Sequence, residues 1–105
     1  SRARALAILA DKLTAEQALQ FGLVWQVLPD DELIAGAHAI ASRLATMPTR
    51  AYALLKQAMS QSLGNDLPAQ LELEATLQGQ AGRTEDFREG VAAFLQKRKP
   101  TFKGR

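Results

Sequence analysis

The chain has 105 residues, a net charge of +2 and 47% hydrophobic residues, a proportion that is ordinary for a folded domain and too high for disorder. It has no cysteine and a single histidine, His38, which excludes disulfides, zinc–thiolate sites, thiol nucleophiles and histidine-rich metal sites. No apolar stretch approaches the roughly 20 residues that a membrane-spanning helix needs, so we expect no membrane association.

The first half of the chain predicts helices divided by short breaks. The opening stretch carries three leucines on one helical face, Leu6, Leu9 and Leu13. Thr14 stands where an N-cap is expected for a short helix, and Gly22 is expected to end that helix. Residues 23–28 have strand character and predict a short extended connector. The sequence Pro-Asp-Asp-Glu at 29–32 predicts the start of a long helix, which is broken before Pro48.

The second half predicts three more helices. The first follows Pro48, the second is capped by Asp66, and the third is capped by Thr84. The last helix is expected to bury a stripe formed by Phe87, Val91, Phe94 and Leu95. The basic residues 97–99 suit its C-terminal end, where cations favour the helix dipole, and Pro100 is expected to stop it.

About five helices and one short extended connector predict an all-α class, with a single domain over residues 1–105. The alanine-rich faces of residues 35–41 indicate packing against more protein than this chain supplies, either in an oligomer or against a further domain. The first residues, Ser-Arg-Ala-Arg, include no methionine and begin on a helical pattern, which favours a segment cut from a longer protein.

Three stretches carry a resemblance to a known family. Residues 13–24 read Leu-Thr-Ala-Glu-Gln-Ala-Leu-Gln-Phe-Gly-Leu-Val, and in residues 44–56 a helix ends before proline and an alanine-rich helix follows. Residues 85–100 read Glu-Asp-Phe-Arg-Glu-Gly-Val-Ala-Ala-Phe-Leu-Gln-Lys-Arg-Lys-Pro, with an aromatic residue, Phe102, shortly after. In this order the stretches resemble the enoyl-CoA hydratase/isomerase, or crotonase, family. Residues 70–74 and 81–84 look like its phenylacetate-degradation branch.

The resemblance implies the C-terminal helical domain of a crotonase fold, with the catalytic domain preceding Ser1. It implies an enzyme that hydrates or isomerises an enoyl-CoA thioester through an oxyanion-stabilised enolate, in fatty-acid or phenylacetate degradation. The acyl substrate and the choice between hydratase and isomerase stay open. No metal or redox cofactor is expected, because CoA is part of the substrate. The expected whole protein is a cytoplasmic homo-trimer or hexamer, and the isolated chain is expected to be inactive.

The resemblance assigns no catalytic residue to this chain but implies two CoA contacts, Phe94 at the adenine and Lys97 at a phosphate. The alternatives are that Phe94 belongs to the core and that Lys97 is a solvated lysine. The carboxylates are interpreted as structural. Glu72 and Glu74 point in different directions on a helix, and the cluster at 85–89 lies at a helix start, where acids favour the dipole. His38 has no identifiable partner.

Two other function classes compete with this interpretation. The first is a free-standing helical protein-interaction module without catalysis, and the start of the chain, which fits a segment of a longer protein better than a natural N-terminus, distinguishes against it. A nucleic-acid binder could use the five basic residues in the last nine, but the small net charge and the single aromatic residue there, Phe102, argue against it, so we expect no nucleic acid.

Overall fold

The computed structural model describes residues 2–105, and in that range the chain forms six α-helices and no β-strand. The helices are α1 (Arg2–Leu9), α2 (Ala15–Gln20), α3 (Leu33–Ala45), α4 (Thr49–Ser62), α5 (Leu67–Ala81) and α6 (Glu85–Leu95). The predicted all-α class is therefore confirmed. There are six helices instead of about five because the opening leucine-bearing stretch forms a helix of its own. Residues 23–28 form the predicted connector and pair with no strand.

The chain divides into two compact units, the first ending at Ala37 and the second running from His38 to Arg105. In the first unit, α2 has the predicted boundaries. The Thr14 hydroxyl accepts a hydrogen bond from the Gln17 N–H (3.2 Å), and the Gln17 side chain accepts one from the Thr14 N–H (3.0 Å), which is a capping box. Gly22 follows the helix with φ +74°, a left-handed conformation that glycine adopts without strain.

The start of α3 differs from the prediction. The acidic residues 30–32 form a turn ahead of the helix, in which the Glu32 N–H donates to the Pro29 carbonyl (3.0 Å). The Glu32 carbonyl accepts the Gly36 N–H (2.9 Å), which is the first hydrogen bond of the helix. Glu32 therefore flanks the helix, which begins at Leu33. The acids consequently precede the first turn of α3.

In the second unit α4 and α5 pack against each other, and each has one buried leucine, Leu54 and Leu77. The predicted cap of α5 is confirmed, since the Asp66 carboxylate accepts the Ala69 N–H at 2.9 Å. Gln70 links the two helices by donating to the Ala58 carbonyl at 3.4 Å.

The buried core of the described residues is small. Its apolar members are Leu54, Leu77 and Ala93. Large apolar side chains line an open groove of about 630 Å³ between α4 and α5, where Leu55, Met59 and Leu71 are each more than half exposed. Wide apolar faces were expected from the sequence, and here they are present and uncovered. No helix among residues 2–105 combines the length and apolar character needed to cross a membrane.

Candidate functional site

The candidate site is built from α6 and the residues that follow it, 96–105, which we call the C-terminal segment. The helix begins at Thr84 as predicted, because the Thr84 hydroxyl accepts the Phe87 N–H at 3.0 Å and donates to the Ala81 carbonyl at 2.7 Å. Glu85 and Asp86 lie in the first turn, near the positive end of the helix dipole.

Asp86 anchors the end of the C-terminal segment. It is 3% exposed, and its two carboxylate oxygens accept the backbone N–H groups of Lys103 (2.6 Å) and Gly104 (2.8 Å). Its own N–H donates to the Arg105 carbonyl at 3.1 Å. A buried carboxylate is costly unless it is fully hydrogen-bonded, so these bonds explain why the charge is tolerated. Asp86 is therefore structural, as the sequence indicated, but its function is to fix the segment.

The segment also reaches the start of α4. Gly104 has φ +76°, and a Cβ at this position would lie 2.5 Å from the Thr49 hydroxyl oxygen. Both the backbone conformation and the close approach require glycine. Phe102 packs over Gly90, where a Cβ would meet its ring at 3.7 Å. The segment thus covers the Asp86–Gly90 side of α6 and ties that helix to α4.

Glu89 anchors the first half of the segment. Its carboxylate accepts two hydrogen bonds from the Arg98 guanidinium, at 2.6 and 2.8 Å, and a third from the Thr101 N–H at 2.8 Å. The Arg98 hydrogen bonds, followed by that from Thr101, lower the pKa of Glu89 from 4.5 to about 2. The same pair raises the pKa of Arg98. Glu89 is consequently ionised at any physiological pH and is not available as a proton donor.

The end of α6 lies earlier than predicted. The helix stops at Leu95 and not at Pro100, and residues 97–99 lie beyond its last turn. Lys97 has φ 52°, its N–H donates to the Phe94 carbonyl (3.2 Å), and the Arg98 N–H donates to the Ala93 carbonyl (3.0 Å). This is the Schellman pattern, which usually places glycine where Lys97 stands. The left-handed conformation costs a non-glycine residue roughly 1–2 kcal/mol.

The predicted buried stripe of α6 is wrong. Phe87, Val91, Phe94 and Leu95 are all exposed, and the buried residues of the helix are Asp86 and Ala93. The reason is that the C-terminal segment folds back over the Asp86–Gly90 side, while the aromatic side is left open. Phe94 is 83% exposed and therefore does not belong to the core formed by residues 2–105.

Phe94 borders an apolar groove of about 400 Å³, whose lining also includes Pro48, Phe87, Val91, Leu95 and Phe102. Lys97 is exposed three residues further on and makes no ion pair within residues 2–105. The fold thus brings an open aromatic side chain, which borders the groove, and an ammonium without an ion pair in the described residues to the end of one helix. This arrangement can receive a ligand that combines an aromatic ring with an anionic group.

The other candidates stay apart from this site. His38 is exposed on α3, and Glu74 accepts a hydrogen bond from Gln70 at 2.8 Å on α5. In the part of the chain that the structure describes, no three His, Asp or Glu side chains are grouped so as to hold a metal ion. The anchoring by Asp86 and Glu89 was missed from the sequence, because their partners are mostly backbone N–H groups, which no residue type signals.

Comparison with known proteins agrees with the helical fold. The sequence model of the family described as Enoyl-CoA hydratase/isomerase matches residues 1–105. A solved enoyl-CoA hydratase from Geobacillus kaustophilus HTA426 superposes with a TM-score of 0.91 at 35% identity, covering 98% of this chain and 40% of that one. The chain is thus a helical region of the kind found in that fold. It belongs to the enoyl-CoA hydratase/isomerase family.

Two curated relatives are similar along the whole chain. A Rhodobacter capsulatus protein named a probable enoyl-CoA hydratase is 49% identical over 105 residues, which is 41% of its own length. The 1,2-epoxyphenylacetyl-CoA isomerase of Escherichia coli K12 is 48% identical over 105 residues, 40% of its length. The chain therefore spans about two-fifths of the length of these relatives.

Proposed function

We propose that this chain is the helical, nucleotide-contacting part of an acyl-CoA enzyme that hydrates or isomerises an enoyl thioester. The family membership and the names of the relatives support the reaction class. Such a reaction places negative charge on the thioester oxygen, which needs oriented hydrogen-bond donors, and it moves protons through carboxylates. Asp86 and Glu89 are committed to the C-terminal segment, so we assign the catalytic groups to residues outside this chain.

The observation that carries the proposal is the pair of exposed side chains at the end of α6. CoA ends in an adenine ring and phosphates, and an open aromatic side chain next to a free ammonium matches that chemistry. In this proposal Phe94 packs against the adenine, an interaction of about 1–3 kcal/mol per stacked base. Lys97 pairs with a phosphate. CoA enters as part of the substrate, in a cytoplasmic enzyme with no separate organic cofactor.

The test compares two ligands in the whole protein, CoA and a pantetheine thioester that lacks the nucleotide. Lys97→Ala should weaken CoA binding roughly two- to tenfold, the range of a solvent-exposed to partly desolvated ion pair, and leave the pantetheine thioester unaffected. Lys99→Ala is the matched control, because it removes the same charge two residues away. Unchanged CoA affinity in Lys97→Ala, or an equal loss in both variants, would refute the specific contact.

The names of the two relatives support two candidate substrates for the whole protein, an enoyl-CoA and the ring epoxide of phenylacetyl-CoA. The identities of 49% and 48% are too close to choose between them. Turnover of each by the whole protein is measured directly, and the 105-residue chain alone should turn over neither. Activity of the isolated chain would contradict the assignment of catalysis to other residues.

The exposed apolar faces support a second role in subunit packing, which we propose occurs in a homo-trimer or hexamer. Met59 is 66% exposed on the α4–α5 groove, and Leu63 is fully exposed at the end of α4. A charge at a covered position destabilises an interface, whereas a charge on a free surface does not. Met59→Lys should therefore shift the whole protein to smaller species in sedimentation, and Gln57→Lys serves as an exposed control on the same helix. An unchanged distribution with Met59→Lys would contradict the packing role.

A further inference from the structure

Lys97 has an uncommon backbone conformation in the turn that ends α6. A lysine with φ 52° persists only where the surroundings fix the turn, since other conformations are more favourable for this residue type. Strained backbone positions of this kind cluster at active sites and ligand-binding sites.

Three hydrogen bonds from residues that follow Lys97 converge on the Glu89 carboxylate. Arg98, directly after Lys97, gives both of its terminal nitrogens to Glu89 (2.6 and 2.8 Å). The same guanidinium donates to the Gln96 side chain (2.7 Å) and to the Lys99 carbonyl (3.2 Å), which lie on either side of the lysine. Glu89 also accepts the Thr101 N–H at 2.8 Å. The Arg98–Glu89 pair is thereby hydrogen-bonded to residues on both sides of Lys97.

We propose that Glu89 is a positioning residue for CoA binding: through Arg98 and Thr101 it holds the 96–101 turn so that the Lys97 ammonium meets a CoA phosphate. The inference rests on the proposed role of Lys97. Glu89 touches no ligand. Its pairing also occupies Arg98, so the cation directed to the phosphate is Lys97 and not its neighbour. The charge of Glu89 persists in this pair because the hydrogen bonds favour the ionised carboxylate.

The experiment is a double-mutant cycle on CoA affinity in the whole protein, with the single variants Glu89→Gln and Lys97→Ala and their combination. Glu89→Gln should weaken CoA binding by at least roughly twofold but by no more than Lys97→Ala does, because it acts only through that lysine. The double variant should bind CoA as Lys97→Ala does. Binding of the pantetheine thioester should not change in either single variant, because that ligand lacks the phosphate that Lys97 is proposed to meet.

Two further variants keep the result interpretable. Arg98→Lys preserves the charge of the pair but cannot make the paired and flanking hydrogen bonds, so it should also weaken CoA binding. It replaces Glu89→Gln in the test if Glu89→Gln does not fold. Glu85→Gln removes a carboxylate that pairs with Lys103 and Arg105 at the end of the segment, and it should leave CoA affinity unchanged.

The outcomes separate the two claims. If Lys97→Ala weakens CoA binding and neither Glu89→Gln nor Arg98→Lys does, the positioning role is wrong and the proposed function stands. If the losses from Glu89→Gln and Lys97→Ala add fully, Glu89 acts independently and the positioning role is also wrong. If Lys97→Ala has no effect, the contact in the proposed function itself fails.

Discussion

Replacement of Asp86 by asparagine tests whether the buried carboxylate holds the C-terminal segment. The two oxygens of Asp86 accept the N–H groups of Lys103 and Gly104 at 2.6 and 2.8 Å. Asparagine is the same size but offers one oxygen and one NH₂ group, so one backbone donor would face another donor. A buried donor without an acceptor costs about 1–3 kcal/mol, and the remaining bond loses about 1 kcal/mol because its acceptor is no longer charged.

The expected result is that Asp86→Asn lowers the free energy of unfolding by roughly 2–4 kcal/mol. Release of the segment into water limits the loss, because each freed residue regains about 1–2 kcal/mol of backbone entropy. Urea denaturation of the whole protein measures the total. Hydrogen exchange at the Lys103 and Gly104 amides shows whether the loss is located in the segment, since these two amides should lose their protection first.

Glu85→Gln is the matched control for this measurement. Glu85 lies in the same helical turn and faces the same segment, but its side chain is 54% exposed and its partners are Arg105 at 3.3 Å and Lys103 at 4.0 Å. Exposed ion pairs contribute about 0–1 kcal/mol, so this variant should be nearly neutral. Equal losses in the two variants, or intact amide protection in Asp86→Asn, would show that burial and backbone acceptance at Asp86 are not what fixes the segment.

Three further outcomes are expected. Glu89 has a pKa lowered from 4.5 to about 2, so the stability it provides is complete above pH 4.5 and is lost as the pH falls to about 2. Glu89→Gln should therefore flatten this part of the curve of unfolding free energy against pH, and an unchanged slope would contradict the pairing with Arg98. Gly104→Ala should lower the free energy of unfolding, measured in denaturant, by at least about 1 kcal/mol because of its left-handed backbone and the contact with Thr49. Gly79→Ala, which has open space around it in α5, should raise that free energy by about 0.5–1 kcal/mol. A change of the same sign in both variants would be inconsistent with the geometry. Lys97→Gly should raise thermal stability by about 1 kcal/mol while weakening CoA binding, and a loss of stability would show that the backbone at this position carries no strain.

The sequence was most informative where structure depends on neighbouring residues. Thr14, Asp66 and Thr84 were predicted as helix caps and each accepts the expected backbone N–H, and Gly22 follows the end of its helix as expected, with φ +74°. These features need a hydroxyl, a carboxylate or a missing Cβ at one position, and the residue type reports that directly. The all-α class followed from the same local signals.

The failed prediction of a buried stripe on α6 depended on residues far apart in the chain. The apolar stripe of α6 was expected to be buried because periodicity shows which residues share a face, but it does not show which face is covered. The C-terminal segment covers the side of α6 that carries Asp86, because Asp86 binds the amide of Lys103, which lies seventeen residues later in the chain. The early end of α6 is a local feature, but it was missed because a lysine in the left-handed conformation is not a sequence signal for a helix end.

The C-terminal segment is held mainly through its backbone, and this determines which of its charges remain available. Three of the hydrogen bonds to Asp86 and Glu89 come from backbone N–H groups, so they consume no lysine side chain. Of the five cations in the segment, Arg98 is paired with Glu89, and Lys103 and Arg105 with Glu85. Lys97 and Lys99 make no ion pair within residues 2–105. These two lysines carry the same charge, but only Lys97 has the fixed left-handed backbone, so a difference between them in CoA affinity would depend on the geometry of the turn and not on the basic character of the segment.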